Sequence, residues 1–257
     1  MINTILVLGT MGLVAGIALA FASKYFHVEK DEKIEAVKEL LPGANCGACG
    51  YAGCAALAKA VCSGEVQVSM CAALKEDEIR NISSLLGQTV TESVRKKAYM
   101  KCVGGTNCQN RYEYFGPEDC ICMSQYDGGV KSCSYGCVGG GSCLRACPFD
   151  AIIINEQKIA EIVYDKCTGC GVCVSECPKN LIFLSGEKDV YVACNSLEKG
   201  GVQKQFCNTG CIGCKKCEKA CEYGAIQVNN FLAYIDYNKC VKCLKCIEVC
   251  PCDVIKF

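Results

Sequence analysis

The spacing of its cysteines constrains this chain more than any other feature. The 257 residues include 28 cysteines, many of them in runs such as Cys-x-x-Cys-x-x-Cys. Cysteines two or three residues apart are poorly placed to form a disulfide with each other, but they can surround one metal cluster. Zinc sites often combine cysteine pairs with histidines, and the chain has a single histidine, His27. Thiolate clusters need a reducing compartment, so the pattern predicts an iron–sulfur protein whose cysteines lie in the cytosol.

The second half of the chain contains an internal repeat, whose copies start at Gly136 and Gly210. Each copy has a cysteine loop, a short helix, a predicted β-hairpin (AIIIN with EIVYD, then AIQVN with LAYID) and a second cysteine loop with its helix. The run C-x2-C-x2-C-x3-C-P is typical of bacterial ferredoxins, in which the fourth cysteine binds the other cluster. The pattern predicts an α+β fold with two tandem ferredoxin-like modules, each holding two [4Fe-4S] clusters.

This crossed ligation assigns three regular ligand sets, in which three cysteines come from one loop and the fourth from the other loop of the same copy. The sets are Cys147 with Cys167, Cys170 and Cys173; Cys211, Cys214 and Cys217 with Cys250; and Cys221 with Cys240, Cys243 and Cys246.

The remaining set of the first copy is irregular. When the copies are aligned, Gly140 stands where the second copy has Cys214, so one thiolate is missing. Cys133 precedes this loop, at the position aligned with Cys207. We therefore predict that Cys133 replaces the missing thiolate, which gives the set Cys133, Cys137, Cys143 and Cys177.

A separate cysteine motif precedes the repeat and predicts a small helical domain with one [4Fe-4S] cluster. Its ligands follow the spacing C-x2-C-x4-C-x16-C and are Cys46, Cys49, Cys54 and Cys71. Glycines in this loop let backbone N–H groups point at sulfur. Helices are predicted before the loop at EKIEAVKELL, with Val37 and Leu40 on its apolar side, after it at AALAKAV, and at EDEIRNISSLL, which ends at Gly87.

These sets use twenty cysteines and predict five [4Fe-4S] clusters. The cysteines left over are Cys62, Cys102, Cys108, Cys120, Cys122, Cys194, Cys207 and Cys252. Buried free cysteines usually behave as small hydrophobic residues, which is the default interpretation here. The interval from Cys120 to Cys133 nevertheless equals that from Cys194 to Cys207, so the repeat extends to these positions. The leftover cysteines could therefore supply a sixth cluster.

Residues 1–23 contain no charged side chain. About 20 apolar residues in a helix span the ~30 Å hydrocarbon core of a bilayer. A cleaved signal peptide would have a basic residue before its apolar stretch, so we expect an uncleaved, single-pass anchor in the cell (inner) membrane. The nearest lysines, Lys24, Lys30 and Lys33, follow this stretch and place the body of the protein in the cytoplasm.

The predicted division of the chain follows from these motifs. Residues 1–23 form the anchor and 24–87 the helical four-cysteine domain. Residues 88–189 form the first ferredoxin-like module with an N-terminal insertion, and 190–257 form the second.

The order of these motifs resembles the RnfB family, whose members are one component of the Rnf electron-transport complex. The resemblance rests on the apolar N-terminal segment, the loop CGACGYAGC with its returning cysteine, GCVGGGSCLRACPFDAI and the ferredoxin repeats, and it covers the whole chain. It implies a subunit of a membrane ferredoxin:NAD oxidoreductase that couples electron flow to Na+ or H+ transport. The implied partners are the other membrane subunits and soluble ferredoxin, which donates the electrons.

The net charge and the absence of certain sequence motifs exclude several classes of function. The formal charge of zero argues against a nucleic-acid partner. The chain lacks a dinucleotide-binding glycine motif, a P-loop and a Ser/His/Asp arrangement, so no catalytic site of its own is evident. Two alternatives stay open: an iron–sulfur reductase with an open iron site at the irregular cluster, and a redox sensor. Residues 208–257 carry seven lysines against five acids, which makes this end a candidate docking surface for an acidic ferredoxin.

Overall fold

The computed structural model describes residues 2–25, 31–89 and 95–257, in which short helices and strands alternate with cysteine loops. The α-helices of this part are α1 Ile2–Tyr25, α2 Glu32–Leu40, α3 Cys54–Cys62, α4 Glu76–Leu86, α5 Cys120–Gln125, α6 Ser142–Ala146, α7 Val172–Glu176, α8 Gly200–Phe206, α9 Lys216–Ala220 and α10 Lys245–Glu248. The strands are β1 Lys96–Met100, β2 Ile152–Ile154, β3 Ala160–Ile162, β4 Ile182–Gly186, β5 Tyr191–Val192, β6 Ile226–Asn229, β7 Leu232–Ile235 and β8 Ile255–Lys256.

The apolar N-terminal segment forms α1, a helix of 24 residues with no acidic residue in its first turn and Lys24 in its last. Large apolar side chains along it are exposed, among them Leu6, Met11 and Phe21. In the part of the chain that the structure describes, no helix qualifies by length and apolarity as a membrane span. Met1, His27 and Lys30 lie outside the described residues.

Helices α2, α3 and α4 pack around one small apolar core, as the sequence predicts. Val37, Leu57 and Ile82 are at most 1% exposed there, and the loop residues Cys49 and Cys54 pack against them. Leu40, predicted on the apolar side of α2, is 44% exposed, because the helix ends at this residue and Leu41 takes the buried position. Gly87 ends α4 with a positive φ of 65°, which glycine adopts without steric cost.

Both predicted hairpins are present. β2 pairs antiparallel with β3, and β6 pairs antiparallel with β7. Each hairpin carries the cysteine loops of its copy at its two ends, so the first and the second loop of a copy come close together.

A second pairing in each copy joins strands far apart in sequence. β1 pairs antiparallel with β4, where Met100 faces Ile182, and β5 pairs antiparallel with β8, where Val192 faces Ile255. The next backbone hydrogen bond is equivalent in the two copies: the N–H of Lys101 donates to the oxygen of Leu181, and the N–H of Ala193 donates to the oxygen of Val254. The first copy therefore extends from β1 to β4 and the second copy from β5 to β8. Each has its own buried core of aliphatic residues and cysteines.

An ion pair joins the two copies. Asp189, in the turn between β4 and β5, accepts a hydrogen bond from Ser185 Oγ at 2.6 Å and pairs with Lys242 Nζ at 2.8 Å. Lys242 lies in a cysteine loop of the second copy, so this contact ties that loop to the end of the first copy.

Candidate iron–sulfur centres

All 28 cysteines are free of disulfide bonds. Among the residues that the structure describes, no three His, Cys, Asp or Glu side chains lie close enough to share a single metal ion. The cysteines instead line small cavities, each reached by sulfurs from more than one loop.

Three of these cavities are lined by the three regular ligand sets. One is lined by Cys147, Cys167, Cys170 and Cys173. Another is lined by Cys211, Cys214, Cys217 and Cys250, with Cys252 beside them. The third is lined by Cys221, Cys240, Cys243 and Cys246. The structure thus brings the predicted residues together, and the fourth member comes from the opposite loop in every case.

Backbone N–H groups point at sulfurs of the regular sets and at Cys177 of the irregular set, with N to Sγ distances of 3.3 to 3.4 Å. The bonds run from Ala98 to Cys167, from Ala151 to Cys147, from Leu181 to Cys177 and from Ala225 to Cys221. Such donors stabilise the charged thiolate over the thiol, and in iron–sulfur proteins they also tune the reduction potential.

Burial has the opposite effect on the thiols when no metal is bound. It raises the pKa of Cys173 to about 12 and that of Cys217 to about 11, and neighbouring thiols add to the rise. These groups are therefore protonated at neutral pH without a metal. Iron binding has to displace the protons, and soft thiolates are the ligands that iron–sulfur clusters prefer.

The four cysteines of the N-terminal motif lie around a glycine loop. Burial raises the pKa of Cys71, and the nearby Cys49 and Cys46 contribute to the rise. Asn45 Oδ1 accepts a hydrogen bond of 2.8 Å from the backbone N–H of Cys54, which orients the start of α3. A β-carbon at Gly53 would lie 2.8 Å from the same Oδ1, so this contact requires glycine.

This N-terminal site lies beside the first copy of the repeat. Burial raises the pKa of Cys170, and Cys46 is close enough for its charge to raise it further. Arg95 connects the same two parts, since it donates to the backbone oxygen of Leu74 at 3.4 Å and pairs with Glu76 at 3.7 Å.

Cys120 lies at the irregular site of the first copy. A β-carbon at Gly140 would lie 2.8 Å from the backbone nitrogen of Cys120, so the space of the missing thiolate is filled by the start of α5. Burial raises the pKa of both Cys137 and Cys143 to about 12, and the charge of Cys120 adds to the rise at both. Cys177 adds to it at Cys143.

Asp119 holds Cys120 in this position. Its carboxylate accepts hydrogen bonds from the N–H groups of Ile121 and Cys122 and from Ser142 Oγ at 2.8 Å. The hydrogen bond from Ser142 is the main reason that the pKa of Asp119 is lowered. Ser142 Oγ in turn accepts the N–H of Cys120 at 2.9 Å, so α5 is fixed directly to the loop that carries Cys143.

Cys133, the predicted fourth ligand, packs in a small buried group with Cys108 and Cys207. It lines a neighbouring cavity that Cys137 also reaches. Cys120 lies near both Cys137 and Cys143, and Cys177 lies near Cys143.

Cys102 and Cys194 are absent from the predicted ligand sets, and both line that neighbouring cavity. Each follows the first strand of its copy, and each Sγ accepts a backbone N–H bond, from Cys137 at 3.4 Å and from Cys211 at 3.3 Å. The equal spacing in the sequence pairs Cys194 with Cys120, whereas the structure pairs it with Cys102. The strand-like segments AYMKC and VYVAC are the sequence signal for this correspondence.

Lysines lie around the site that contains Cys214. Lys215, Lys216 and Lys219 are exposed beside the exposed Cys214, and Lys215 lines the same cavity. Over the described residues, none of the three pairs with a carboxylate, whereas Lys239 and Lys245 pair with Asp236 and Glu222.

Family models match most of the cysteine-containing sequence. A model described as "Putative Fe-S cluster" matches residues 41–73. Models described as "4Fe-4S dicluster domain" match residues 133–184, 166–226 and 210–254.

Three relatives align with all or nearly all of this chain. The B component of the ion-translocating oxidoreductase complex of Methanosarcina acetivorans is 44% identical over an alignment that covers 100% of the chain and 98% of the relative. The B component of the Na(+)-translocating ferredoxin:NAD(+) oxidoreductase complex of Acetobacterium woodii is 41% identical, with 100% and 79% covered. The B component of the proton-translocating ferredoxin:NAD(+) oxidoreductase complex of Clostridium ljungdahlii is 37% identical, with 99% and 92% covered.

Proposed function

The chain belongs to the RnfB family, the B components of ion-translocating oxidoreductase complexes, and we propose that it takes electrons from reduced ferredoxin and passes them to other membrane subunits. The observation that carries the proposal is the set of three cavities, each lined by three cysteines of one loop and one cysteine of the other loop. When bound, a [4Fe-4S] cluster takes up and releases single electrons. We assign the chain no catalytic site of its own.

Five ligand sets follow from the cavities and the motifs. Four are the three regular sets and the N-terminal set of Cys46, Cys49, Cys54 and Cys71. For the irregular site we propose Cys120, in place of Cys133, together with Cys137, Cys143 and Cys177. Its support is the position of α5 at Gly140 and the tie from Ser142 to Cys120. Because Cys120 supplies a fourth thiol, this site is a poor candidate for an open iron site that binds substrate.

The ligand sets follow one another through the molecule. The N-terminal set lies next to Cys170, and the sets of each copy share one buried core. We propose that residues 88–189 and 190–257 are two tandem ferredoxin-like modules and that 24–87 is a separate cluster domain. Electrons then move from one cluster to the next, because neighbouring ligand sets lie close together.

We also propose that α1 anchors the protein in the cell membrane with the cluster domains in the cytoplasm. The support is a 24-residue helix, about 36 Å long, whose large apolar side chains are exposed. Lys24 at its end and Lys33 beyond it provide the positive charge expected on the cytoplasmic side.

Ferredoxin docks, in this proposal, on the unpaired lysines around Cys214. Attraction between exposed charges is screened within about 10 Å at 0.1 M salt. Oxidation of reduced ferredoxin by the membrane complex should therefore slow as salt is raised. The double variant Lys215→Glu with Lys216→Glu should slow it about tenfold or more at low salt and much less at high salt, because steering changes the association rate.

The matched control reverses two exposed lysines of the helical domain, Lys59→Glu with Lys75→Glu, which changes the net charge equally. This control should keep most of the rate, measured by stopped-flow absorbance of the ferredoxin. Equal slowing in both double variants, or a rate that does not depend on salt, contradicts docking at Cys214.

A further inference from the structure

A cavity lies between the two copies of the repeat, and of the five ligand sets only Cys137 reaches it. Five cysteines that these sets do not use line it: Cys102, Cys108, Cys133, Cys194 and Cys207. All five are at most 9% exposed. Like the three cavities described above, this cavity is lined by several cysteines.

Two pairs of these cysteines are related by the repeat. Cys102 and Cys194 each follow the first strand of their copy and accept the N–H of that copy's first loop cysteine. Cys133 and Cys207 occupy aligned positions before that loop. Cys108 has no such counterpart, since the second copy has no cysteine between Cys194 and Cys207.

The sulfurs approach one another because glycines line the cavity. A β-carbon at Gly104 would lie 3.3 Å from Cys207 Sγ and 3.8 Å from Cys102 Sγ. Both sulfurs therefore lie next to Gly104, where no side chain separates them. The charge of Cys102 and that of Cys207 both act on Cys133, and the charge of Cys102 acts on Cys194.

A polar group lies beside one of these sulfurs. Cys207 packs in a buried group with Cys108 and Cys133. The hydroxyl of Thr209 lies 3.7 Å from Cys207 Sγ.

One buried polar side chain at the cavity lacks a partner. Gln203 lines the cavity at 1% exposure, and its Oε1 has no hydrogen-bond partner in the part of the chain that the structure describes. A buried polar group without a partner is costly, so this oxygen indicates that a further group belongs beside it. Lys131 also lines the cavity and places a positive charge near its edge.

We propose that Cys102, Cys133, Cys194 and Cys207 bind a sixth [4Fe-4S] cluster between the two copies. Each of the four thiols loses its proton to solvent on binding iron. Cys108 is not a ligand. Lys131, which lines the same cavity, offsets part of the negative charge of the cluster and its four thiolates.

The position gives this site a role in electron transfer. Cys102 is bonded to the N–H of Cys137, in one neighbouring ligand set, and Cys194 to the N–H of Cys211, in the other. The sixth site therefore connects the two copies, which are otherwise separate cores.

The test is iron and acid-labile sulfide quantitation on the full chain, purified anaerobically in detergent. Six clusters require about 24 irons per chain, and five require about 20. Cys207→Ser and Cys194→Ser should each lose up to about four irons, with one electron paramagnetic resonance signal gone or replaced by that of a three-iron cluster. Cys108→Ser is the matched control and should keep all of the iron.

A wild-type content near 20 irons, or full iron in both Cys207→Ser and Cys194→Ser, overturns the sixth cluster. Iron loss in Cys108→Ser but not in Cys194→Ser overturns the proposed ligand set. These outcomes leave the proposed function intact, because salt-dependent oxidation of ferredoxin tests that function separately.

Discussion

Whether Cys120 and Cys133 serve one cluster or two can be decided by combining their substitutions. The structure places Cys120 at Gly140 with Cys137 and Cys143, and it places Cys133 with Cys207. If the sites are separate, each single serine variant damages one cluster and the double variant damages both. Serine is a poor replacement for the soft thiolate, so at least one iron should leave each damaged site.

The size of the effect follows from the cluster composition. Each single variant should lose between one and about four irons per chain, and the double variant should lose the sum, up to about eight. If both cysteines belonged to one site, the double variant would lose no more than about four. Iron and sulfide analysis measures the loss, and electron paramagnetic resonance shows whether the two variants lose different signals.

Cys122→Ser provides the matched control for Cys120→Ser. Cys122 lies two residues further along α5 and is exposed, so its loss should leave the iron content unchanged. The reasoning is refuted if Cys120→Ser keeps full iron while Cys133→Ser reduces the signal of the irregular site, or if the two losses are not additive.

Three further predictions concern the fold and the anchor. Deleting residues 2–25 should give a protein that is recovered without detergent and keeps its iron, as fractionation and iron analysis can show; a deleted chain that remains in washed membranes contradicts the anchor. Gly105→Ala should lower the thermal unfolding temperature, because Gly105 has a φ of +49° and a β-carbon there would lie 2.1 Å from a backbone oxygen. Gly201→Ala should not lower it, because the space around Gly201 is open. Asp189→Ala should lower the free energy of unfolding by about 1–2 kcal/mol, a modest loss because its partner Lys242 is half exposed. An unchanged free energy of unfolding in a denaturation experiment would contradict a stabilising ion pair.

Much of the fold was predictable because it depends on local patterns. The hairpins β2–β3 and β6–β7 and the helices α2, α3 and α4 follow from apolar periodicity and from glycine at helix ends. The regular ligand sets follow from cysteine spacing, since each loop is too short to arrange its sulfurs in another way.

Spacing alone did not indicate that Cys120 lies at the irregular site. The first copy contains an insertion after Cys102, so equal intervals pair Cys194 with Cys120, although the strands β1 and β5 make Cys102 its counterpart. The pairing of β1 with β4 joins residues far apart in sequence, and the alternation of apolar residues predicts a strand but not its partner. The position of Cys120 depends on Asp119 and Ser142, whose contact is also long-range.

The central claim is that this protein accepts electrons from ferredoxin into clusters held by its own cysteines. Mixing the full-length protein with reduced ferredoxin, without flavin, nicotinamide or other subunits, tests this claim directly. We predict bleaching of the visible cluster absorption of the protein and the appearance of reduced-cluster signals in electron paramagnetic resonance. Clusters that dithionite reduces but ferredoxin leaves oxidised would contradict the account.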